Sequence, residues 1–137
     1  MLTPGGQLAA AAQALVGSRF RLHGRDPATG LDCVGVLAAA LGAIGREAPL
    51  PVAYHLRSRA IPNLAGVAQQ CGLVPVESAA ETGDVLLARV GKCQFHLVIA
   101  AHGGNFIHAH AGLKRVVIGP LGDDWRVTCH WRLSAEK

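Results

Sequence analysis

Aromatic side chains are scarce in this sequence, with two Trp, one Tyr and three Phe among 137 residues. Single strands of nucleic acid are gripped largely by stacking bases on exposed rings, so this small supply argues against such a partner. Charge is thin as well. Asp, Glu, Lys and Arg make up 16% of the chain against 50% hydrophobic residues, the reverse of a disordered composition. No apolar stretch approaches the roughly 18 residues of a membrane span. The four cysteines, Cys33, Cys71, Cys93 and Cys129, form no CxxC pair, and the opening "MLTPGGQLAAAAQALVG" has no basic segment of the kind that starts a secretion leader. Synthesis in a reducing cytosol with free thiols is the expectation. Repeats, low-complexity tracts and linkers are also missing, which leaves a single domain over residues 1–137.

The net charge of +4 is mild. The basic residues Arg19, Arg21, Arg25, Arg57, Arg59, Lys114 and Arg115 are scattered, with no run of five, and read as a solvated surface rather than a binding patch.

Helical signals fill the first half. Gln7 to Val16 is Ala-rich and stopped by Gly17. "SRFRLHGRDPATG" is a loop. Asp32 is an N-cap residue, and Cys33 to Ile44 follows as a helix ended by Gly45, apolar nearly all round and therefore expected in the core. After a Pro-rich irregular segment, Leu64 to Cys71 is a short helix. The second half changes to short β-rich runs, "GDVLLARV", "CQFHLVIAA", "NFIHAHAG", "KRVVIGP" and "WRVTCHWRL". Helices followed by a strand meander predict an α+β fold, an antiparallel sheet of about five strands packed on the Cys33 helix.

The histidines of the strand half point to chemistry. In "QFHLVIAA", alternation separates His96 from Phe95 and Leu97, and in "NFIHAHAG" His108 and His110 share a face. A hairpin loop of Ala101, His102 and Gly103 would set His96 opposite His108, close enough for the imidazoles to hydrogen-bond; a loop at Gly103 and Gly104 would set His96 opposite Ala111. If the helix headed by Cys33 packs on that side, a thiol and two imidazoles converge. A helix N-terminus favours thiolate, an adjacent His can take and return the proton, and a third polar group can fix that His. The Cys33 N–H, free at the helix start, could donate to an oxyanion.

The segments "VGSRF", "GLDCVG", "GDVLL", "FHLVIA" and "NFIHAHAG", in this order from Val16 to about Leu133, resemble the NlpC family of papain-like cell-wall cysteine peptidases. The likeness is nearest to small members encoded with phage tails and gene transfer agents. It implies a papain-like fold with Cys33 as nucleophile, His96 as general base and His108 as the orienting residue. Asp32 and Gly35 match the flanking motif. The implied reaction is hydrolysis of an amide bond in the peptidoglycan stem peptide, typically between D-glutamate and a diamino acid, with no cofactor. Two positions depart from the family: Phe20 stands where Tyr is usual, and Val34 where Ser is usual, so two hydroxyls near the site are missing.

Around this core, Phe20, His23, Asp32 and Tyr54 are the candidate substrate contacts, with Arg57 beside Tyr54 in the Pro-rich segment. His110 is the reserve for His108. Cys71, Cys93 and Cys129 are packing residues, Asp84 caps a turn before a strand, and His55, His102 and His130 take surface or loop positions. Zinc held by Cys33, His96, His108 and His110 is the rival chemistry, weakened by the lack of a nearby carboxylate or second thiolate at ligand spacing. The expected partners are the stem peptide and phage-like tail proteins, with neither nucleic acid nor membrane, and the isolated domain is expected to be a monomer. Delivery to the wall with a tail and recycling of wall peptides in the cytoplasm both fit these residues. The alternative from another class is a catalytically weak structural or binding component of a tail tip.

Overall fold

The computed structural model describes residues 2–46, 65–91 and 94–135. Tyr54, Arg57, His55 and Cys93 lie outside them.

Helix α1 spans Pro4–Gln13, three residues earlier than the Ala-rich pattern alone predicts. The reason is its cap: the Thr3 hydroxyl accepts from the Gly6 N–H at 3.0 Å, and Pro4 has the φ a first helical residue needs. The loop that follows contains a two-residue ribbon, β1 (Arg25–Asp26) and β2 (Gly30–Leu31), closed by a turn in which Asp26 accepts from the Ala28 N–H. Helix α2 spans Cys33–Ala43, and Gly45, at φ +79°, takes the left-handed position beyond its end. Its first turn is buried on every side. The short helix α3 spans Ala65–Gln70.

Six strands form the main sheet: β3 (Leu73–Pro75), β4 (Val85–Val90), β5 (Gln94–Ala100), β6 (Phe106–His110), β7 (Arg115–Gly119) and β8 (Trp125–Leu133). Their order is β3-β8-β4-β5-β6-β7, antiparallel throughout. The expected α+β architecture is present. The sixth strand is β3, which ends in Pro75, is too short to register as a periodic run, and pairs with the end of β8. The last strand also does not extend the meander; it returns to lie beside β4.

Helix α2 packs on one face of the sheet. That face supplies Val85, Leu87, Phe95, Leu97, Ile99, Ile107, Ala109 and Val116, which share a core with Leu8, Val36, Leu37 and Leu41 of the helices. The other face carries a smaller cluster of Leu86, Val98 and Ala100, covered by Phe106, Leu121 and Trp125.

Two local features decide what meets on that second face. The β5–β6 register pairs Ile99 with Ile107 and Ala100 with Phe106. The connection therefore runs from Ala101 to Asn105, with Ala101 N–H donating to the Asn105 carbonyl, and Gly103 and Gly104 at φ +70° and +76° make its turn. Neither of the two expected registers is present. His96 falls in line with His110 rather than with His108. The second feature is a bulge in β8. Leu87 pairs with Cys129 but Ala88 with Val127, leaving Thr128 extra, its hydroxyl donating to the Leu87 carbonyl at 3.0 Å. One extra residue exchanges the faces of all that precede it, and this brings Trp125 onto the side of His96.

Candidate active site

Cys33 is the first residue of α2, and Asp32 builds the ground around it. The Asp32 carboxylate caps the helix by accepting from the Gly35 N–H at 2.8 Å. It also accepts from the His23 N–H at 2.9 Å and from the Arg25 guanidinium at 2.8 Å. Three donors therefore hold the side chain that the sequence offered as a substrate contact, and its work here is to tie the preceding loop to the helix start. His23, at φ +61°, is held in the left-handed region by that bond, and the residue is exposed. Gly35 completes the junction, because a Cβ there would run into the Gly24 carbonyl of the same loop. Phe20 lies half-buried against the main core, its N–H bonded to the Lys114 carbonyl.

The Cys33 side chain is 8% exposed. Its sulfur accepts from the Leu97 N–H of β5, the residue next to His96, two residues before the β5–β6 pairing begins at Ile99. Helix α2 thus packs on the Leu97 face and not on the face of the histidines, contrary to the simplest reading of the alternation. Thiol and imidazole approach from the two sides of one strand, where the ladder to β6 has not yet closed. No hydrogen bond joins Cys33 to either imidazole in this unliganded geometry; such contacts are commonly long before substrate tightens them.

On the far face, His96 stacks on Trp125 with ring centroids 5.4 Å apart and planes 14° from parallel. His108 meets the same indole edge-on at 5.2 Å. The two imidazoles are themselves 6.4 Å apart, too far for the direct bond that an opposed pairing would allow, and His110 lies 5.9 Å from His108. His110 Nδ1 accepts from the Leu113 N–H at 3.0 Å. His108 is buried, and its Nδ1 has no hydrogen-bond partner.

The electrostatics give neutral groups at rest. Burial pushes the Cys33 thiol up to about 11, the nearby Asp32 charge adds to this, and the Leu97, Val34 and Cys33 N–H groups act against it. The thiolate expected from the helix N-terminus is outweighed by loss of water. Burial, reinforced by His110, lowers His96 below its ordinary value. Burial, then His96 and His110, lowers His108 to about 4. Near neutral pH the site therefore holds an uncharged thiol on one side of β5 and an unprotonated imidazole on the other, a proton donor and a base.

Trp125 and the Leu97 amide were missed by sequence reasoning. A backbone donor carries no sequence signal, and the bulge that turns Trp125 inward is equally silent. His130 was misplaced as a surface or loop residue. It lies in β8 with Nε2 2.6 Å from the fully buried Asp84 carboxylate, which also accepts from Arg132 and the Glu81 N–H. Among the described residues no three His, Cys, Asp or Glu side chains are placed to hold a metal ion, and no described helix is long and apolar enough to cross a membrane.

This framework has relatives among solved structures. The NlpC/p60 domain of the peptidoglycan hydrolase SagA superposes with a TM-score of 0.61 at 25% identity, covering 92% of this chain and 99% of that one. The chain has the NlpC/p60 fold. NlpC1 from Trichomonas vaginalis gives a TM-score of 0.70 at 18% identity, covering 96% of this chain and 46% of that protein. An NlpC/P60 family protein from Bacillus cereus gives 0.64 at 19% identity, with 93% and 40% covered. These NlpC/p60 neighbours support the NlpC family. No protein-family profile matches the sequence, and no curated protein does.

Proposed function

We propose that this NlpC/p60-type domain is a cysteine peptidase that hydrolyses amide bonds in peptidoglycan stem peptides. The observation that carries the proposal is the place of Cys33, at the head of α2 with its sulfur on the amide next to His96, in a fold shared with a peptidoglycan hydrolase domain.

In the proposed mechanism His96 takes the Cys33 proton as sulfur attacks the scissile carbonyl. The tetrahedral oxyanion receives the Cys33 N–H, which has no partner within the helix. Collapse breaks the C–N bond, the amine leaves with the proton from His96, and the acyl group stays on sulfur as a thioester. His96 then deprotonates water, which attacks the thioester, and the carboxylic acid departs as the thiol recovers its proton. His108 and Trp125 hold the His96 ring. No cofactor enters these steps. The bond proposed is that between D-glutamate and the diamino acid, and delivery by a phage-like tail would bring the domain to the wall.

The test is digestion of purified muropeptides by the reduced protein, read by mass spectrometry. The expected result is a pair of products whose masses sum to substrate plus one water, with none from Cys33→Ala. Absence of any cleavage by the reduced parent would contradict it. A second reading, a wall-binding tail component of little activity, is favoured by the high thiol pKa and by Phe20 and Val34. Its signature would be muropeptide binding without cleavage.

A further inference from the structure

Four of the scattered basic residues, Arg19, Arg21, Lys114 and Arg115, lie on two segments that the fold brings side by side. In β6–β7, His110 is opposed to Arg115, and an isolated bridge opposes Arg115 to Arg19. The Ile99–Ile107 register, continued, brings His96 to His110. One cross-strand row therefore runs from His96 through His110 and Arg115 to Arg19. Directly opposed residues project from the same face, so both arginines share the side of the imidazoles. The Arg19 segment is also tied to the approach to Cys33: the Leu31 N–H donates to the Arg19 carbonyl at 2.8 Å, two residues before the thiol.

Two guanidinium groups set opposite each other repel, and a protein ordinarily relieves that with a carboxylate. None is supplied. Arg19 and Arg115 are exposed, and among the described residues neither guanidinium has an ion-pair or hydrogen-bond partner. Asp32, the buried acid nearest the nucleophile, is committed to Arg25 and its capping bonds. Arg21 and Lys114, also exposed, add positive charge on the same two segments.

The geometry points to Arg19 and Arg115 as a carboxylate-binding row that holds a free carboxylate of the stem peptide while the scissile carbonyl lies at Cys33. This rests on the proposed function. Stem peptides keep free carboxylates beside their γ-linked amide bonds, and paired guanidiniums bind carboxylate in a forked geometry that lysine cannot copy. The row would thereby distinguish acidic stem peptides from amidated ones.

The experiment uses the peptide L-alanyl-γ-D-glutamyl-diaminopimelate and its fully amidated counterpart. Calorimetry on the full chain carrying Cys33→Ala gives Kd without turnover, at low and at high salt. The acidic peptide should bind more tightly than the amide. Adding Arg19→Gln and Arg115→Gln should weaken the acidic peptide about tenfold at low salt and leave the amide within about twofold. Equal affinity for the two peptides, or an equal loss on both, would overturn the inference. Turnover by the uncut, reduced parent separates the two claims: cleavage with no acid preference leaves the peptidase and removes the row. Acid-selective binding with no cleavage leaves the row and removes the peptidase.

Discussion

His96→Ala is expected to lower kcat on muropeptides by about a thousandfold, within the range that loss of a general base produces. The resting charges are the reason. With the Cys33 thiol at about 11, almost no thiolate exists near neutral pH, so attack depends on an immediate proton acceptor. In the proposed mechanism His96 is that acceptor, and burial with His110 keeps it unprotonated. Three pH signatures are expected. In the parent, activity is lost on the acid side as His96 gains its proton, and the midpoint should lie below 6.5, the ordinary value. His110→Ala should move that midpoint upward, since it removes one of the two causes that lower it. In His96→Ala the residual rate should climb with pH toward about 11, as hydroxide replaces the missing base. Steady-state kinetics across pH, with thermal melting to verify folding, reads all of these. A variant within threefold of the parent would place the base elsewhere, with His108 or His110 the candidates.

The second large effect concerns stability, at the other end of β5. Asp84 is fully buried and accepts from the Glu81 N–H at 2.9 Å, from His130, and from Arg132 through Nε and Nη2 at 2.9 Å each. Burial alone would raise its pKa, but Arg132, the Glu81 amide and His130 together hold it below the usual carboxylate value. Asp84→Ala takes the buried acceptor from the His130 ring and from Arg132, which keeps only its outer contacts with Glu81, Ser78 and Ala79, and breaking a buried pair in this way costs about 3–5 kcal/mol. Urea unfolding should show this as a lower midpoint with an unchanged slope. The parent should lose the same contribution in acid. A depressed carboxylate stabilises above its unfolded pKa, near 3.8, and that stability disappears as pH falls through the lower folded value. A loss under about 1 kcal/mol for Asp84→Ala would show that the clasp is solvated and weak.

The division between what the sequence revealed and what it hid is physical. The cap at Asp32, the buried apolar helix and the β-rich second half are local patterns, and each is found where periodicity and capping place it. The residues proposed for the site could be nominated for the same reason, since a cysteine behind a cap and histidines in two successive strands need only local rules. What could not be read was how the pieces align. A longer turn at Ala101–Asn105 moved the β5–β6 register by two residues, which kept the histidines on one face but separated the rings. The Thr128 bulge placed Trp125 against both of them, and only the return of β8 to β4 brought His130 and Arg132 to Asp84. The side on which α2 would pack was equally hidden, because both faces of β5 are apolar beyond His96. The clustering of Arg19 with Arg115 likewise depends on a bridge between segments almost a hundred residues apart.

The most direct measurement is rapid quenching of the muropeptide reaction in acid, followed by intact-mass and peptide-map analysis. Slowing the water step at mildly acidic pH should let the acyl fragment accumulate on the protein, as a thioester mapped to Cys33 and released by hydroxylamine. Product formation with no adduct on Cys33, or with the fragment on Cys71 or Cys129, would contradict the account.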